Sequence, residues 1–393
     1  MVDPGHHLRI HAGRRDGATV TPLELFFDLV FVLALTRCSA LMGSEHLWRN
    51  VAQGLLVLAV LWWAWVGYAW LTSLVDPDEW LPRLVLFVAM AGMLVMAICV
   101  PHAFDDQAFA LAFAGAYAVV RIAHIFLFAI AAEDDPQLAR SVFALAVGMV
   151  IGVSLIAVAA FCDGWVQGLL WLLALAIDMG GPFVFGSEGW HIEPAHFAER
   201  HGLIVIIALG ESIVSLGAGA GDQLDGGMLA TAVLGVFLAA ASWWSYFDVG
   251  SVLAARRLVE MPPGKEQNEM ARDGYSFLHY PIVAGVVLVA FGLHHALAHV
   301  TEPLDAISAV AVGGGLAVFL AGQVAFKYRL LGLLSRQRVV AVLVTLASIP
   351  LLQSVDAWLG VTISAVIMWG LIGFELWRYG DAREEARRGE SSH

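Results

Sequence analysis

The sequence predicts an all-α integral membrane protein, a polytopic bundle of about twelve transmembrane helices. Of its 393 residues, 60% are hydrophobic and only 14% are charged, whereas about a quarter of a soluble domain is charged. The apolar runs are long and unbroken, which favours helices over a barrel. The basic residues gather in alternate loops, as is typical of a chain that crosses a bilayer many times.

About 20 apolar residues are needed for one helix to cross a bilayer, and this length divides the chain into twelve predicted spans. The start of the chain is polar, so we expect no cleavable signal before the first span. The eleventh span is short, contains Pro350, and is joined to the twelfth by a tight connection. The predicted spans are 22–42, 51–74, 82–101, 108–131, 140–161, 165–185, 197–218, 227–253, 276–299, 304–326, 337–352 and 354–377.

The distribution of basic residues orients these spans. With a cytoplasmic N-terminus, 18 of the 21 basic residues fall on the cytoplasmic side, which is the side that the positive-inside rule favours. A change of one in the helix count would move every later loop across the membrane and remove this asymmetry. We therefore predict both termini to be cytoplasmic, with tails at 1–20 and 380–393. A solvated cytoplasmic loop is predicted at 254–274, around a Pro-Pro pair.

Several features recur in the same order along the two halves of the chain. A Trp-Trp pair occurs in spans 2 and 8, and a proline opens spans 1 and 7. This recurrence suggests two six-helix halves of like orientation, 21–186 and 187–379, as in transporters built from parallel repeats. The recurring residues are Trp62-Trp63, Trp243-Trp244, Pro22 and Pro194.

Two carboxyl groups, Glu24 and Asp28, lie near the start of span 1 and share one helical face. Thr21, Pro22 and Glu24 fit the N-cap, N1 and N3 positions of a capping box. Glu24 is therefore either a helix cap or part of a functional site. Asp28 lies one turn deeper and has no capping role, so its carboxyl group needs a partner, a proton or a cavity.

The predicted spans contain six acids but at most three bases. Tyr117, Arg121 and His124 share one arc of span 4, and we expect Arg121 to pair with Asp28 or Glu211. The remaining carboxyl groups would hold protons or bind a cation; the alternative is a static polar network that fixes helix packing. The acids are Glu24, Asp28, Asp178, Glu199, Glu211 and Asp248, and the bases are Arg37, Arg121 and Arg200.

Three motifs stand out within the spans, and the first two are unusual for apolar helices. They are Glu24-Leu25-Phe26-Phe27-Asp28-Leu29-Val30-Phe31-Val32 in span 1, Glu199-Arg200-His201-Gly202 with Ala208-Leu209-Gly210-Glu211-Ser212 in span 7, and Trp243-Trp244 with Tyr246-Phe247-Asp248 in span 8. Together they resemble the bacterial low temperature requirement A (LtrA) family over nearly the whole membrane region. The resemblance implies a bacterial multi-pass protein, linked by the family name to growth in the cold. It implies no biochemical activity and no catalytic residue.

The sequence favours a proton- or cation-coupled secondary transporter in the bacterial inner membrane, with the lipid bilayer and an unknown small solute or ion as partners. Acids would bind the proton or cation, arginines would supply counter-charge or anchor a solute, and histidines would relay protons. In that order, the candidates are Asp28, Glu211, Asp248, Glu24 and Asp178; Arg121 and Arg200; and His124, His201 and His279.

Two other function classes stay open, an intramembrane enzyme acting on a lipid or small metabolite and a structural or regulatory membrane protein. His295 and His299 are one turn apart, as in a metal pair, but His102 is the only further histidine on that side. We therefore expect no metal and no cofactor, and the sequence leans away from an enzyme. A structural role is favoured if all the acids pair internally. The net charge of −13 argues against nucleic acid as a partner.

Overall fold

The computed structural model of the protein describes residues 17, 19–44, 47–184, 189–219 and 225–388. The side chains of 184 and 381–388 are not described. Most of the predicted N-terminal tail, the boundary at 186/187 between the predicted halves, and the side chains of the C-terminal tail therefore lie outside the described residues.

Fourteen helices form the described chain, and their bounds follow the apolar runs closely. A π-helical segment, Ala271–Phe277, joins α10 to α11. The helices are α1 Pro22–Gly43, α2 Trp48–Leu74, α3 Trp80–Cys99, α4 Gln107–Ala131, α5 Pro136–Ala159, α6 Gly164–Val184, α7 Pro194–Gly219, α8 Gly226–Phe247, α9 Gly250–Glu260, α10 Lys265–Met270, α11 His279–Ala298, α12 Ala306–Leu331, α13 Arg336–Leu352 and α14 Ala357–Arg388.

The predicted fold class is confirmed. Across the described ranges, eleven helices or continuous helical stretches are long and apolar enough to cross a membrane. A further helix, α13, has 17 residues and corresponds to the short eleventh span predicted from the sequence. The described chain forms no strand, only an isolated bridge between Pro303 and Asp356. The membrane side of the termini and the division into two halves stay predictions.

Aspartates start four of the helices. In each, a side-chain oxygen accepts hydrogen bonds from main-chain N–H groups in the first turn of the helix. This is the usual role of an N-cap aspartate, which satisfies donors that have no partner within the helix. The caps are Asp106 of α4, Asp135 of α5, Asp225 of α8 and Asp305 of α12.

Two compact units make up the chain. The first unit comprises the described parts of Met1–Phe31, Val60–Phe197 and Pro263–Asn268. Within it α3 packs on α4, α4 on α5, and α5 on α6. At Gly152 of α5, an added Cβ would lie 3.4 Å from the main-chain oxygen of Ala174, so the absence of a side chain lets α5 and α6 approach closely.

The second unit comprises Val32–Ala59, Ala198–Pro262 and Glu269–His393 as far as they are described. Its tightest helix pair is α11 with α12. A Cβ on Gly285 would lie 2.5 Å from the main-chain nitrogen of Phe319 and 2.6 Å from the oxygen of Gly315. These two backbones touch, as is common where small residues meet between membrane helices.

The predicted solvated loop at 254–274 is wrong in most of its length. α9 continues to Glu260, and α10 and the π-helical segment follow the Pro-Pro pair. Asn268 is buried, and its side-chain amide donates to the main-chain oxygen of Trp190 at 2.7 Å. Mixed charge made this stretch read as a solvated loop, but most of it is helical, and Asn268 binds a main-chain oxygen inside the protein.

Candidate functional site

The first unit holds a buried ion pair between α4 and α6. Nη2 of Arg121 lies 2.6 Å from Oδ1 of Asp178, and the Tyr117 hydroxyl donates to Oδ2 at 2.6 Å. The Arg121 and Asp178 side chains are only 1% and 2% exposed. The guanidinium and the carboxylate therefore neutralise each other inside the unit, through a short charge-assisted bond.

This partner corrects the prediction that Arg121 pairs with Asp28 or Glu211. The arc of polar residues on α4 was predicted correctly, since Tyr117 and Arg121 both reach the same carboxylate. Periodicity shows which face of a helix is polar, but it does not show which helices are neighbours. Here α4 and α6 both pack on α5, and this arrangement brings Asp178 to Arg121.

His124 lies against the backbone of α2. Its Nε2 is 3.0 Å from the main-chain oxygen of Gly67, and because a carbonyl only accepts, this nitrogen holds the proton. A Cβ on Gly67 would lie 3.0 Å from the His124 ring and 3.4 Å from Nη1 of Arg121. Nδ1 of His124 is buried and has no hydrogen-bond partner in the described chain. It is therefore the ring atom that can take up a proton.

Glu24 is a helix cap, and its side chain also contacts a histidine of α7. The capping box forms, because the Thr21 amide donates to Oε2 at 2.9 Å and the Glu24 amide donates to Oγ1 of Thr21 at 3.3 Å. The other oxygen, Oε1, lies 2.8 Å from Nε2 of His196 on α7, and both side chains are fully buried. His196 was missed from sequence. It is the third residue of α7, which begins at Pro194, and Glu24 is likewise the third residue of α1.

Asp28 lies in the same unit and is also fully buried. Nε1 of Trp65 donates to its Oδ1 at 2.8 Å. The rings of Phe31 and Trp65 lie 6.3 Å apart beside this bond. The predicted need of Asp28 for a polar partner is thus met at least by the indole of α2.

The second unit holds a different kind of acidic group, Glu211 in α7. Its side chain is fully buried. Oε1 accepts a hydrogen bond from the Ser215 hydroxyl at 2.7 Å, and Oε2 is in contact with the Thr36 hydroxyl of α1. No basic side chain of the described residues forms an ion pair with it. These three residues, Glu211, Ser215 and Thr36, are called the Glu211 site below.

The hydrogen bonds of the Glu211 site suit a protonated carboxyl group. The Thr36 hydroxyl lies 3.1 Å from the main-chain oxygen of Val32, to which it can donate. A hydroxyl has one proton to donate and two lone pairs to accept with. When the Thr36 proton goes to Val32, the contact with Glu211 requires a proton on Oε2. Ser215 then donates to the other oxygen, and every polar atom is satisfied.

A second polar group of this unit surrounds His279 of α11. Its Nδ1 lies 3.0 Å from the main-chain oxygen of Gly274, and Nε2 lies 2.7 Å from the Tyr246 hydroxyl. Nδ1 therefore holds a proton, and in the neutral ring Nε2 accepts from Tyr246. The ring of His201 packs 5.4 Å from His279. Gly274 belongs to the π-helical segment, a feature that is frequent at functional sites.

Comparison with known proteins identifies the family. The model of the bacterial low temperature requirement A protein (LtrA) matches residues 19–372. The chain belongs to the LtrA family. It is 30% identical over 369 residues to an uncharacterized protein of Rhizobium meliloti (strain 1021), an alignment that covers 90% of this chain and 89% of the relative. No solved structure matches the chain.

The remaining predicted residues of this LtrA chain all lie in the second unit. Two of them, Arg37 and Glu199, need correction. Arg200 and His201 are buried in α7, and Asp248 is partly buried at the junction of α8 and α9. Glu199 and Arg37 are exposed, so counting them among buried charges was wrong. Each is one residue from a buried neighbour, and a step of 100° along the helix turns it outward.

One buried ion pair of the LtrA chain was missed, that of Arg338 and Glu375. Nε and Nη2 of Arg338 lie 2.8 Å from the two oxygens of Glu375, and Nη1 is in contact with Oε1 of Gln323. Arg338 lies at the start of the predicted span 337–352 but was not counted among the bases within the spans. Glu375 was likewise not counted among the acids within them. The available signal was that Glu375 falls inside the apolar run 354–377.

The histidines considered as a metal pair are engaged otherwise. The rings of His295 and His299 stack with centroids 4.4 Å apart. Nε2 of His295 lies 3.4 Å from Oδ2 of Asp305, the N-cap of α12. In the part of the chain that is described, no three His, Cys, Asp or Glu side chains are grouped so as to hold a metal ion.

Proposed function

We propose that this LtrA-family protein is a proton-coupled secondary transporter of the bacterial inner membrane, with Glu211 as the carrier of the coupling proton. The observation that supports this most is the Glu211 site, a fully buried carboxyl group whose contacts are hydroxyl groups. An ionised carboxylate is costly in such a place unless it is paired. A proton on Glu211 removes that cost. The protonated side chain therefore favours the buried position, and the ionised side chain favours a conformation in which it can reach water or a cation.

A proton suits this site better than a metal cation. Hard cations take about six or more oxygen ligands, while Glu211, Thr36 and Ser215 together offer four side-chain oxygens. The hydroxyls support both protonation states of the carboxyl group. In the protonated state Thr36 accepts from Oε2; when the proton leaves, the same hydroxyl can turn and donate to the carboxylate. Each proton released is thus matched by a rearranged hydrogen bond on α1.

The proposal keeps the other predicted residues in supporting roles. His201 and His279 would relay protons within the second unit, and His124 would do so in the first. Asp28 and Asp248 are further candidate proton sites, and Arg200 is a candidate anchor for an anionic solute. Cytoplasmic termini, two parallel six-helix halves and a role in growth in the cold belong to the same proposal.

A structural or regulatory role is the second candidate, and a specific observation favours it. Three buried acids have internal partners: Asp178 is bound by Arg121, Glu375 by Arg338, and Glu24 by His196. Such pairs can fix helix packing without any transport. The two candidates differ in what they expect of Glu211, a buried acid that forms no ion pair within the described residues.

Glu211→Gln should reduce proton-driven uptake to the level of empty vesicles. The purified protein is reconstituted in vesicles with an imposed pH gradient and offered a small-metabolite extract from a cold-grown deletion strain. Mass spectrometry then shows which solutes accumulate. Glutamine keeps the size and the hydrogen bonding of the side chain but cannot release a proton. Glu211→Asp, which can, should retain part of the uptake.

Glu199→Gln is the matched control, because it removes an exposed acid from the same helix and should leave uptake unchanged. Uptake by Glu211→Gln equal to that of the unaltered protein would show that Glu211 is not the carrier. If the unaltered protein accumulates no solute under either direction of the gradient, transport is rejected and the structural role remains.

A further inference from the structure

Glu211 is fully buried, so a proton that it carries needs a route to the surface of the second unit. α7 ends at Gly219, and at the usual helical rise Glu211 lies about 12 Å from that end and Ser215 about 6 Å. The Ser215 hydroxyl donates to Oε1 of Glu211. Ser215 is therefore the first polar group on the way from Glu211 to this end of α7.

An exposed histidine of α11, His294, reaches the same serine. Its Nδ1 lies 3.2 Å from the main-chain oxygen of Ser215, and because a carbonyl only accepts, Nδ1 holds a proton. The two helices touch here, since a Cβ on Gly219 would lie 2.5 Å from the main-chain oxygen of His294. The His294 ring also interacts electrostatically with the Glu211 carboxyl group. Ser215 thus contacts a buried acid with its hydroxyl and a surface imidazole with its carbonyl.

The second ring nitrogen of His294 is left for the solution. The residue is exposed, and its Nε2 forms no hydrogen bond with the described residues. His294 lies close to Ala298, the end of α11, at about 6 Å along the helix axis. Its neighbour His295 turns instead to Asp305. The His294 ring therefore has one nitrogen on the Glu211 side and one that water can reach, which suits transfer of a proton through the ring.

We propose that His294 exchanges the coupling proton of Glu211 with the solution on the outer side of the membrane. This inference rests on the proposed function and on the predicted topology, in which α11 ends at the outer face. A proton from the solution binds Nε2, and the exposed ring turns Nδ1 from the carbonyl to the hydroxyl of Ser215. Nδ1 gives its proton to that hydroxyl, whose own proton passes to the Glu211 carboxylate. One N–H bond is broken for the O–H bond formed on Glu211, and the hydroxyl is regenerated.

His294→Asn tests this role in the vesicle assay used for Glu211. The asparagine amide can still donate to the Ser215 carbonyl, but it cannot take up a proton. We expect the initial rate of proton-driven uptake to fall about tenfold or more, since proton transfer by a positioned side chain contributes about 100-fold or more to a rate. His294→Ala should lose as much, and should regain part of it when a small, membrane-impermeant buffer is raised in both compartments, because the buffer replaces the imidazole as proton donor.

His299→Asn is the matched control. His299 is also exposed at this end of α11, but its Nδ1 lies 3.3 Å from the main-chain oxygen of His295, not from α7, so uptake should be unchanged and independent of buffer. If His294→Asn does not fold, His294→Ala decides by its response to buffer. Uptake by His294→Asn equal to that of His299→Asn, or a loss in His294→Ala that buffer does not restore, overturns the role of His294 and leaves Glu211 as the carrier. The transport proposal itself fails by a different result, the absence of uptake by the unaltered protein.

Discussion

Arg121→Ala should lower the free energy of unfolding by about 3–5 kcal/mol, because it leaves the Asp178 carboxylate buried without its cation. The pair is almost fully enclosed, with side chains 1% and 2% exposed, so water cannot replace the guanidinium. Asp178→Ala should cost about as much for the converse reason. Equilibrium unfolding in mixed micelles, followed by tryptophan fluorescence, measures both changes.

A double variant and a surface pair provide the controls. Arg121→Met combined with Asp178→Leu removes both charges and should cost less than either alanine substitution. Arg83 and Asp78 form an ion pair at 3.3 Å in the same unit, but their side chains are 47% and 58% exposed. Arg83→Ala should therefore cost about 0–1 kcal/mol. A cost for Arg121→Ala as small as that for Arg83→Ala would mean that Asp178 does not depend on Arg121.

Arg338→Ala should also lower the free energy of unfolding by about 3–5 kcal/mol, since it leaves the Glu375 carboxylate buried without its cation. Arg338→Lys keeps the charge and should still cost roughly 1–3 kcal/mol, because one amine cannot reproduce the fork that bonds both oxygens of Glu375 while reaching Gln323. The same unfolding measurement applies, with loss of the folded protein on heating in nanodiscs as a second readout.

Arg336→Lys is the control for this second pair, because Arg336 lies two residues earlier on α13 and is exposed. It should be neutral within about 0.5 kcal/mol, as is usual for surface substitutions. Equal stability of Arg338→Lys and Arg336→Lys would contradict the geometry of the fork, even if Arg338→Ala remained costly.

Hydropathy was sufficient to predict the membrane helices. The first span was predicted at 22–42 and is Pro22–Gly43, and the short eleventh span was predicted at 337–352 and is Arg336–Leu352. Crossing a bilayer requires a long apolar run, and the length of such a run can be read directly from the sequence. The capping box of Glu24 was equally predictable, since it depends only on residues three apart.

The ion-pair partners of buried charges and the interruption of a predicted helix could not be predicted in the same way. Arg121 pairs with Asp178 because α4 and α6 share α5 as a neighbour, which is a property of the packed unit. The predicted span 227–253 is interrupted after Phe247, although its apolar character does not change there. Glu375 was overlooked when the acids within the spans were counted, because it is a single acid near the end of a long apolar run. The choice of Asp178 as the partner of Arg121 depends on tertiary contacts that no local pattern encodes, whereas the position of Glu375 inside a span could have been read from the sequence.

Infrared spectroscopy of the purified protein in nanodiscs at neutral pH tests directly whether Glu211 holds a proton. The difference between the spectra of the unaltered protein and Glu211→Gln isolates the carbonyl stretch of a protonated carboxyl group. That band should be present in the unaltered protein and in Glu199→Gln, and absent from Glu211→Gln. A difference spectrum that shows loss of an ionised carboxylate instead would contradict the proton-carrier role of Glu211.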